Sequence, residues 1–364
     1  MPHEWTHFDG SLMLIENQGE TMTARSPFSQ FGVIGGGAWG TALAVVASRH
    51  WSDSPRPVVL WAREAETVDQ INARHENIDF LPGVALPTQI RATQNMADLS
   101  ACDAVMMVVP AQFARPVMAE LAPLIQPQTP LILCSKGIEQ TSLGLMSEVA
   151  ADYFSMEQIA VLSGPSFASE VARGDPTAVT LATAQEATGM ALADALGSSH
   201  FRPYWTDDII GTEIGGALKN VIAIACGIVE GKQLGQSARA ATTTRGFAEM
   251  TRLGMAMGAR METLGGLSGL GDLILTAGSA TSRNFSLGLA LGEGQKAANV
   301  LGSRRSVSEG AMSAEAVNRL AEKHQLDLPI CSAVHRILNQ DHDVDATIHQ
   351  LLHRPFTHEI EKQK

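Results

Sequence analysis

Basic residues are scarce in this chain: 26 lysines and arginines face 38 aspartates and glutamates, a formal net charge of −12 over 364 residues. A surface built for nucleic acid or for an anionic membrane needs the opposite excess, so both partner classes are set aside. An acidic protein that binds phosphates must instead gather its few cations locally. Cysteine is equally sparse. Cys102, Cys134, Cys226 and Cys331 lie in apolar stretches with no C-x-x-C or Cys/His metal spacing. That argues against a disulfide framework and a metal site, and for reduced core thiols in a cytoplasmic protein. No uninterrupted apolar run reaches the ~18 residues of a membrane span. Residues 1–29 carry Glu4, Asp9, Glu16 and Glu20 and lack the basic start and apolar centre of a secretory signal. They read as a polar, poorly ordered extension, with Met13 and Met22 as alternative starts. Internal repeats and low-complexity tracts are also lacking.

Glycine, by contrast, is plentiful, and one cluster of it organises the chain. Phe31, Val33 and Ile34 read as a buried strand, and Gly35, Gly37 and Gly40 follow in G-x-G-x-x-G spacing before a helical run from Thr41. The first glycine permits the tight turn, the second lets backbone approach a pyrophosphate, and the third lets the helix pack close to the sheet. The phosphates rest on N–H groups at the helix N-terminus. With 33 glycines in the chain, spacing alone is weak; the strand before, the helix after and a second strand at Val58–Trp61 make it specific.

Short apolar runs alternate with helical patterns up to about residue 206. Strands are expected at Phe31–Ile34, Val58–Trp61, Ala104–Val109, Leu131–Cys134, Ile159–Leu162, Ala178–Leu181 and Phe201–Trp205. Helices are expected at Thr41–Arg49, Glu64–Arg74, Phe113–Leu124, Leu143–Tyr153, Phe167–Ala172 and Gln185–Leu196. The alternation predicts an α/β Rossmann-type domain over 30–206, a mostly parallel sheet covered on both faces. Beyond Asp207 the strand signal stops. Ile209–Val229 is nearly all apolar, and Ala238–Met257, Ser286–Leu291, Ser313–His324 and Ile330–Leu338 show helical periodicity. An all-α domain over 207–345 follows, with a tail over 346–364.

Ligands of such sheets bind beyond the carboxyl ends of the strands, so residues there are the first candidates. Arg63 follows the second strand, where an arginine suits a 2′-phosphate and favours NADP; Glu64 and Glu66 weaken that inference, and a solvated surface arginine is the competing reading. Lys136 and Gly137 end a buried strand, so the lysine either meets a substrate oxygen or extends into water. Lys219 and Asn220 interrupt a helix that is apolar nearly all round. A lysine there is a candidate proton donor and acceptor, because burial makes its proton labile. Asp272, in Gly269-Leu270-Gly271-Asp272-Leu273, is either its partner or a helix cap. Ser282-Arg283-Asn284 precedes an apolar helical run and is either a phosphate anchor or a capping motif.

Taken in order, these segments resemble the bacterial NAD(P)-dependent glycerol-3-phosphate dehydrogenases. The matching residues are Gly35–Ala44, Val58–Trp61, Phe80–Pro82, Val108–Pro110, Lys136-Gly137, Ser163–Ala168, Leu218–Ile224, Thr244–Met250, Gly269–Leu273, Ser282–Asn284 and Glu309-Gly310. The resemblance implies reversible reduction of dihydroxyacetone phosphate to sn-glycerol 3-phosphate for phospholipid synthesis, by a homodimer using NADP or NAD. It implies Lys219 as the proton donor and acceptor. It further implies Lys136, Gly164, Ser166, Lys219, Asp272, Ser282, Arg283 and Asn284 at the substrate. At the cofactor it implies Ala38, Trp39, Arg63, Lys136, Ala168, Arg283, Val307 and Glu309, beside Gly35, Gly37 and Gly40. Two departures stand out. Ala38 replaces a frequent serine at the pyrophosphate turn, and Ala311-Met312-Ser313-Ala314 replaces a more polar continuation after Gly310. Hydroxyacid dehydrogenases and ketopantoate-type reductases share the plan and the helical lysine and asparagine; Ser282-Arg283-Asn284 separates them, since a phosphate anchor has no use on a plain carboxylate substrate.

Overall fold

In this computed structural model the described residues are 28–49, 56–302, 308–356 and 358. Of the extension expected over residues 1–29, residues 1–27 lie outside them, as does Val307. Eight strands form one sheet: β1 Phe31–Ile34, β2 Val58–Trp61, β3 Ile90–Thr93, β4 Ala104–Met107, β5 Leu131–Leu133, β6 Ile159–Ser163, β7 Thr177–Ala182 and β8 Phe201–Thr206. Their order is β3-β2-β1-β4-β5-β6-β7-β8. All neighbours run parallel except β6 and β7, which are antiparallel. The helices of this half are α1 Ala38–Ser48, α2 Ala65–Arg74, α3 Ala111–Leu121, α4 Met146–Ala151, α5 Ala168–Arg173 and α6 Glu186–Leu196.

β3 was not expected from the sequence. Arg91 interrupts its apolar pattern and points to solvent, as an edge strand of four residues permits. The chain reverses between β1 and β4, on opposite sides of which the connections diverge, and the crevice opens there. α4 is shorter than its periodicity predicts, because Leu143 takes a left-handed backbone conformation, φ 61°, that no helix continues.

The second half is helical: α7 Ile209–Gly231, α8 Gln236–Ala256, α9 Met261–Leu264, α10 Asp272–Ala277, α11 Arg283–Gly292, α12 Ala297–Gly302, α13 Glu309–Lys323, α14 Pro329–Asn339 and α15 Val344–Leu352. α15 occupies part of the stretch read as a tail. Asp208 starts α7 by accepting from Gly211 N at 2.8 Å. α7 is long and apolar enough to span a membrane, contrary to the apolar-run count, yet 94% of its most apolar window is buried inside the protein. Its all-round apolar character comes from encasement by α8, α10, α11, α13 and α14. Against α11 the approach is backbone on backbone. A side chain at Gly227 would meet Phe285 O at 2.1 Å, and one at Gly288 would meet Ile224 O at 2.0 Å. Gly231 and Gly292 repeat the arrangement one turn later.

Two buried glutamates and a half-buried one each sit on the N-terminus of a helix from another part of the chain. Glu249 of α8 accepts from Ile330 N and Cys331 N of α14, at 2.7 and 3.0 Å. Glu213 of α7 accepts from Ser147 N at 2.9 Å and from the Ser147 hydroxyl, tying the helical half to α4. Glu309 of α13 accepts from the Ala111 N–H that opens α3. Helix dipoles favour a carboxyl at these positions. Burial nevertheless pushes the Glu213 carboxyl up to about 7, against the two Ser147 donors.

A raised folded-state value stabilises the fold fully below the unfolded value of 4.5 and loses that contribution as pH climbs through about 7. Glu213→Gln is therefore expected to flatten the decline of Tm over this window. Thermal melts of both proteins at half-unit pH steps test this; parallel Tm curves would remove Glu213 from the balance.

Candidate active site

Two lysines from opposite halves of the molecule meet on one carboxylate. Lys136, just past β5, places Nζ 2.6 Å from Asp272 Oδ2. Lys219, in the middle of α7, places Nζ 2.6 Å from Oδ1 of the same residue. Lys136 also donates to Gly164 O at 3.1 Å, and Lys219 to Thr276 Oγ1 at 2.9 Å. Asp272 is 1% exposed. Burial opposes its ionisation, but the two ammonium groups outweigh burial and hold it below the usual carboxylate range. Burial pushes the Lys219 ammonium down to about 8, against the attraction of Asp272 and aided by repulsion from Lys136. A lysine poised there exchanges its proton near physiological pH.

Local backbone delivers each group. Gly269 and its neighbours form a π-helical turn, Leu267–Gly271, where a side chain at 269 would run into Leu264 O at 1.9 Å. The turn lies against Gly215 of α7 and throws Asp272 onto the first position of α10. Asp272 caps no helix, so its cap reading fails: its oxygens are taken by the lysines. Thr276 stands one turn later on the same face and also donates to Asp272 Oδ1, at 3.2 Å. The sequence reading passed over Thr276; its i+4 spacing from the aspartate was the available signal. Ser282 turns out to be the N-cap of α11, accepting from Phe285 N at 3.2 Å. Arg283 opens α11 and acts electrostatically on Glu309, as do Lys136 and Lys219, so the four form one charged cluster. Burial pushes the Glu309 carboxyl up to about 7 against these cations.

The glycine turn lies at the other end of the crevice. Gly35 has φ 124° and would press a side chain onto Val108 O at 3.0 Å; a side chain at Gly40 would strike Gly35 O at 1.9 Å. Gly37 differs, with open space where its side chain would stand. It occupies the N-cap of α1 with no side chain supplying the cap. The free N–H groups there, beside the buried and unpartnered Trp39 indole N–H, fit a dinucleotide pyrophosphate. Ala38 removes only a hydroxyl from this arrangement. Arg63 follows β2 beside the turn, exposed and held by Glu64 at 2.7 Å. Gly164 lies past β6 with φ 153° and accepts from the Ser166 hydroxyl at 3.0 Å. Ala168 opens α5.

Family models for the NAD-dependent glycerol-3-phosphate dehydrogenase N-terminus and C-terminus match residues 30–189 and 208–349. The chain belongs to this family. It is similar to the glycerol-3-phosphate dehydrogenase (NAD(P)+) of Parvibaculum lavamentivorans, 57% identical over 332 residues, 91% of this chain and 98% of that one. The enzyme of the same name from Rhodospirillum rubrum is 56% identical over 325 residues, 89% and 92% of the two chains. The crystal structure of the Coxiella burnetii glycerol-3-phosphate dehydrogenase superposes with a TM-score of 0.84 at 38% identity, covering 90% of this chain and 99% of that one. The Rossmann-type half and the helical half expected from the sequence are both features of this family.

The two glycines of the turn should separate fold from binding. Gly40→Ala is expected to destabilise the protein by about 2 kcal/mol or more through its backbone collision. Gly37→Ala should leave Tm in place and weaken NAD(P)H binding. Melts and fluorescence titrations on both variants check the contrast, and equal Tm losses would defeat it.

Proposed function

We propose that this chain catalyses the reversible, NAD(P)H-dependent reduction of dihydroxyacetone phosphate to sn-glycerol 3-phosphate. The observation that carries the reading is the buried Lys136–Asp272–Lys219 bridge, a proton-competent amine held charged at the mouth of a dinucleotide crevice. The bound cofactor supplies the hydride that adds to the ketone carbon. Lys219 faces the carbonyl oxygen, stabilises the negative charge that develops there and delivers the proton. Asp272 keeps Lys219 charged and aimed, and Thr276 fixes its second direction. Lys136 adds a second positive charge at Asp272 and, with Gly164 and Ser166, lines the substrate end. Arg283 takes the phosphate as the charge-assisted anchor, on a turn capped by Ser282. In oxidation the roles reverse, and neutral Lys219 withdraws the hydroxyl proton.

Gly35, Gly37, Ala38, Trp39 and Gly40 take the pyrophosphate side of the cofactor, and Ala168 and Glu309 lie farther along it. The dinucleotide is NADP or NAD, with Arg63 available to a 2′-phosphate. The overall charge repels a dianionic substrate, which makes the cationic cluster necessary for capture. The burial of α7 within the protein and the four buried thiols support a cytoplasmic enzyme without membrane insertion. Exposed Met255, Met261 and Ile274 on neighbouring helices α8, α9 and α10 offer an apolar surface for a homodimer.

Lys219→Met should lower kcat by about a thousandfold or more while NAD(P)H still binds; turnover near the native rate, followed at the absorbance of reduced nicotinamide, would refute the role of Lys219. In the unmodified enzyme, kcat/KM for reduction is expected to fall as pH rises through about 8, where Lys219 loses its proton, and oxidation should gain over the same range. Profiles that run the other way would contradict the assignment. Arg283→Ala should raise the KM for dihydroxyacetone phosphate by about a hundredfold, and unchanged saturation curves would remove the phosphate anchor.

A further inference from the structure

The side chain of Asn284 is committed in a way that its expected place among the substrate contacts does not explain. Its Oδ1 accepts from Gly310 N at 3.1 Å and from Ser308 Oγ at 2.9 Å. Its Nδ2 donates to Asn220 Oδ1 at 2.8 Å, and Asn220 Nδ2 donates to Gly216 O at 3.3 Å. The ends of this relay fix its direction. Gly310 N–H can only donate and Gly216 C=O can only accept, so neither amide can be turned over without losing a bond. Asn220, Asn284 and Ser308 are all buried. The relay thus links the turn before α13 to the middle of α7, through the first turn of α11.

Packing enforces the same contact. A side chain at Gly310 would lie 2.7 Å from Asn220 O and 2.7 Å from Asn284 Oδ1. Between Ser308 and Gly310 stands Glu309, whose carboxyl meets the Ala111 N–H at the carboxyl end of β4. It also lies 3.8 Å from where a side chain at Gly137 would begin, past β5. Those strand ends border the crevice for the dinucleotide. We propose that Asn284 is a positioning residue for the cofactor: it pins the Ser308–Gly310 turn to α7 and thereby holds Glu309 at the nucleotide crevice. Its loss loosens the grip on NAD(P)H before it affects the phosphorylated substrate. This rests on the dehydrogenase reading above.

The experiment is a double-mutant cycle on Asn284→Ala and Ser308→Ala. It measures NADPH affinity without substrate, by nicotinamide fluorescence, and the KM for dihydroxyacetone phosphate at saturating NADPH. Asn284→Ala is expected to weaken NADPH binding about tenfold, and Ser308→Ala about threefold. The double variant should be no weaker than Asn284→Ala, because Ser308 acts through Asn284. The substrate KM should stay within about twofold. A raised substrate KM with unchanged NADPH affinity would make Asn284 a direct substrate contact and overturn the proposal, as would additive losses. Should Asn284→Ala fail to fold, Ser308→Ala decides alone, and unaltered NADPH affinity overturns the relay. A native chain that neither binds NADPH nor turns over dihydroxyacetone phosphate overturns the dehydrogenase reading and this proposal together.

Discussion

Asp272 serves two lysines at once, and the rest of the molecule is arranged so that it can. A carboxylate that is 1% exposed is costly to bury alone, and removing one partner from a buried ion pair typically costs about 3–5 kcal/mol. Here one partner comes from the end of a sheet strand and the other from the centre of the main helix of the second half. The bridge is therefore also a clamp between halves. The helical half supplies the Lys219–Asp272 pair, and the sheet half adds a second cation to the same carboxylate.

The same logic of contacts between the halves recurs around the clamp. Glu213 and Glu309 project from the helical half onto the first turns of α4 and α3. Gln140 reaches Met312 O at 3.0 Å, and Arg319 returns to Gln140 O at 2.7 Å. The loop that carries Lys136 is thus held on both sides. Its Arg115–Glu139 pair, at 2.7 Å, fastens it to α3. These contacts hold Lys136, and through it Asp272, in place; the proton transfer proposed for Lys219 needs such precise placement.

Much of this was legible from residue order. Phe31–Ile34 with its glycines, and the apolar run from Ile209, are periodic enough to name element and place. The lysine at 219 was conspicuous because a charge amid apolar neighbours needs a reason. What stayed hidden depends on contacts between distant segments. β3 hides because Arg91 breaks its pattern at a sheet edge. Asp272 reads equally well as a cap until Lys136 and Lys219, 136 and 53 residues away, are brought to it. Ser282-Arg283-Asn284 looks like one anion site, yet its three side chains divide into a cap, a cation of the charged cluster and one link of a relay. Sequence shows that a polar group is unusual; only packing shows which neighbour it answers to.

The glycine crossing of α7 and α11 fixes a length. With Gly227, Gly231, Gly288 and Gly292 bringing main chain against main chain, no rotamer change can alter how the two helices stack. Lys219 rides on one helix and Arg283 on the other, so the distance between the two backbone positions that carry the amine and the guanidinium is set by main-chain contact. Such a pair works as a gauge block. With the carbonyl assigned to Lys219 and the phosphate to Arg283, as proposed above, a phosphorylated ketone one carbon longer would fit this fixed spacing of backbones less well.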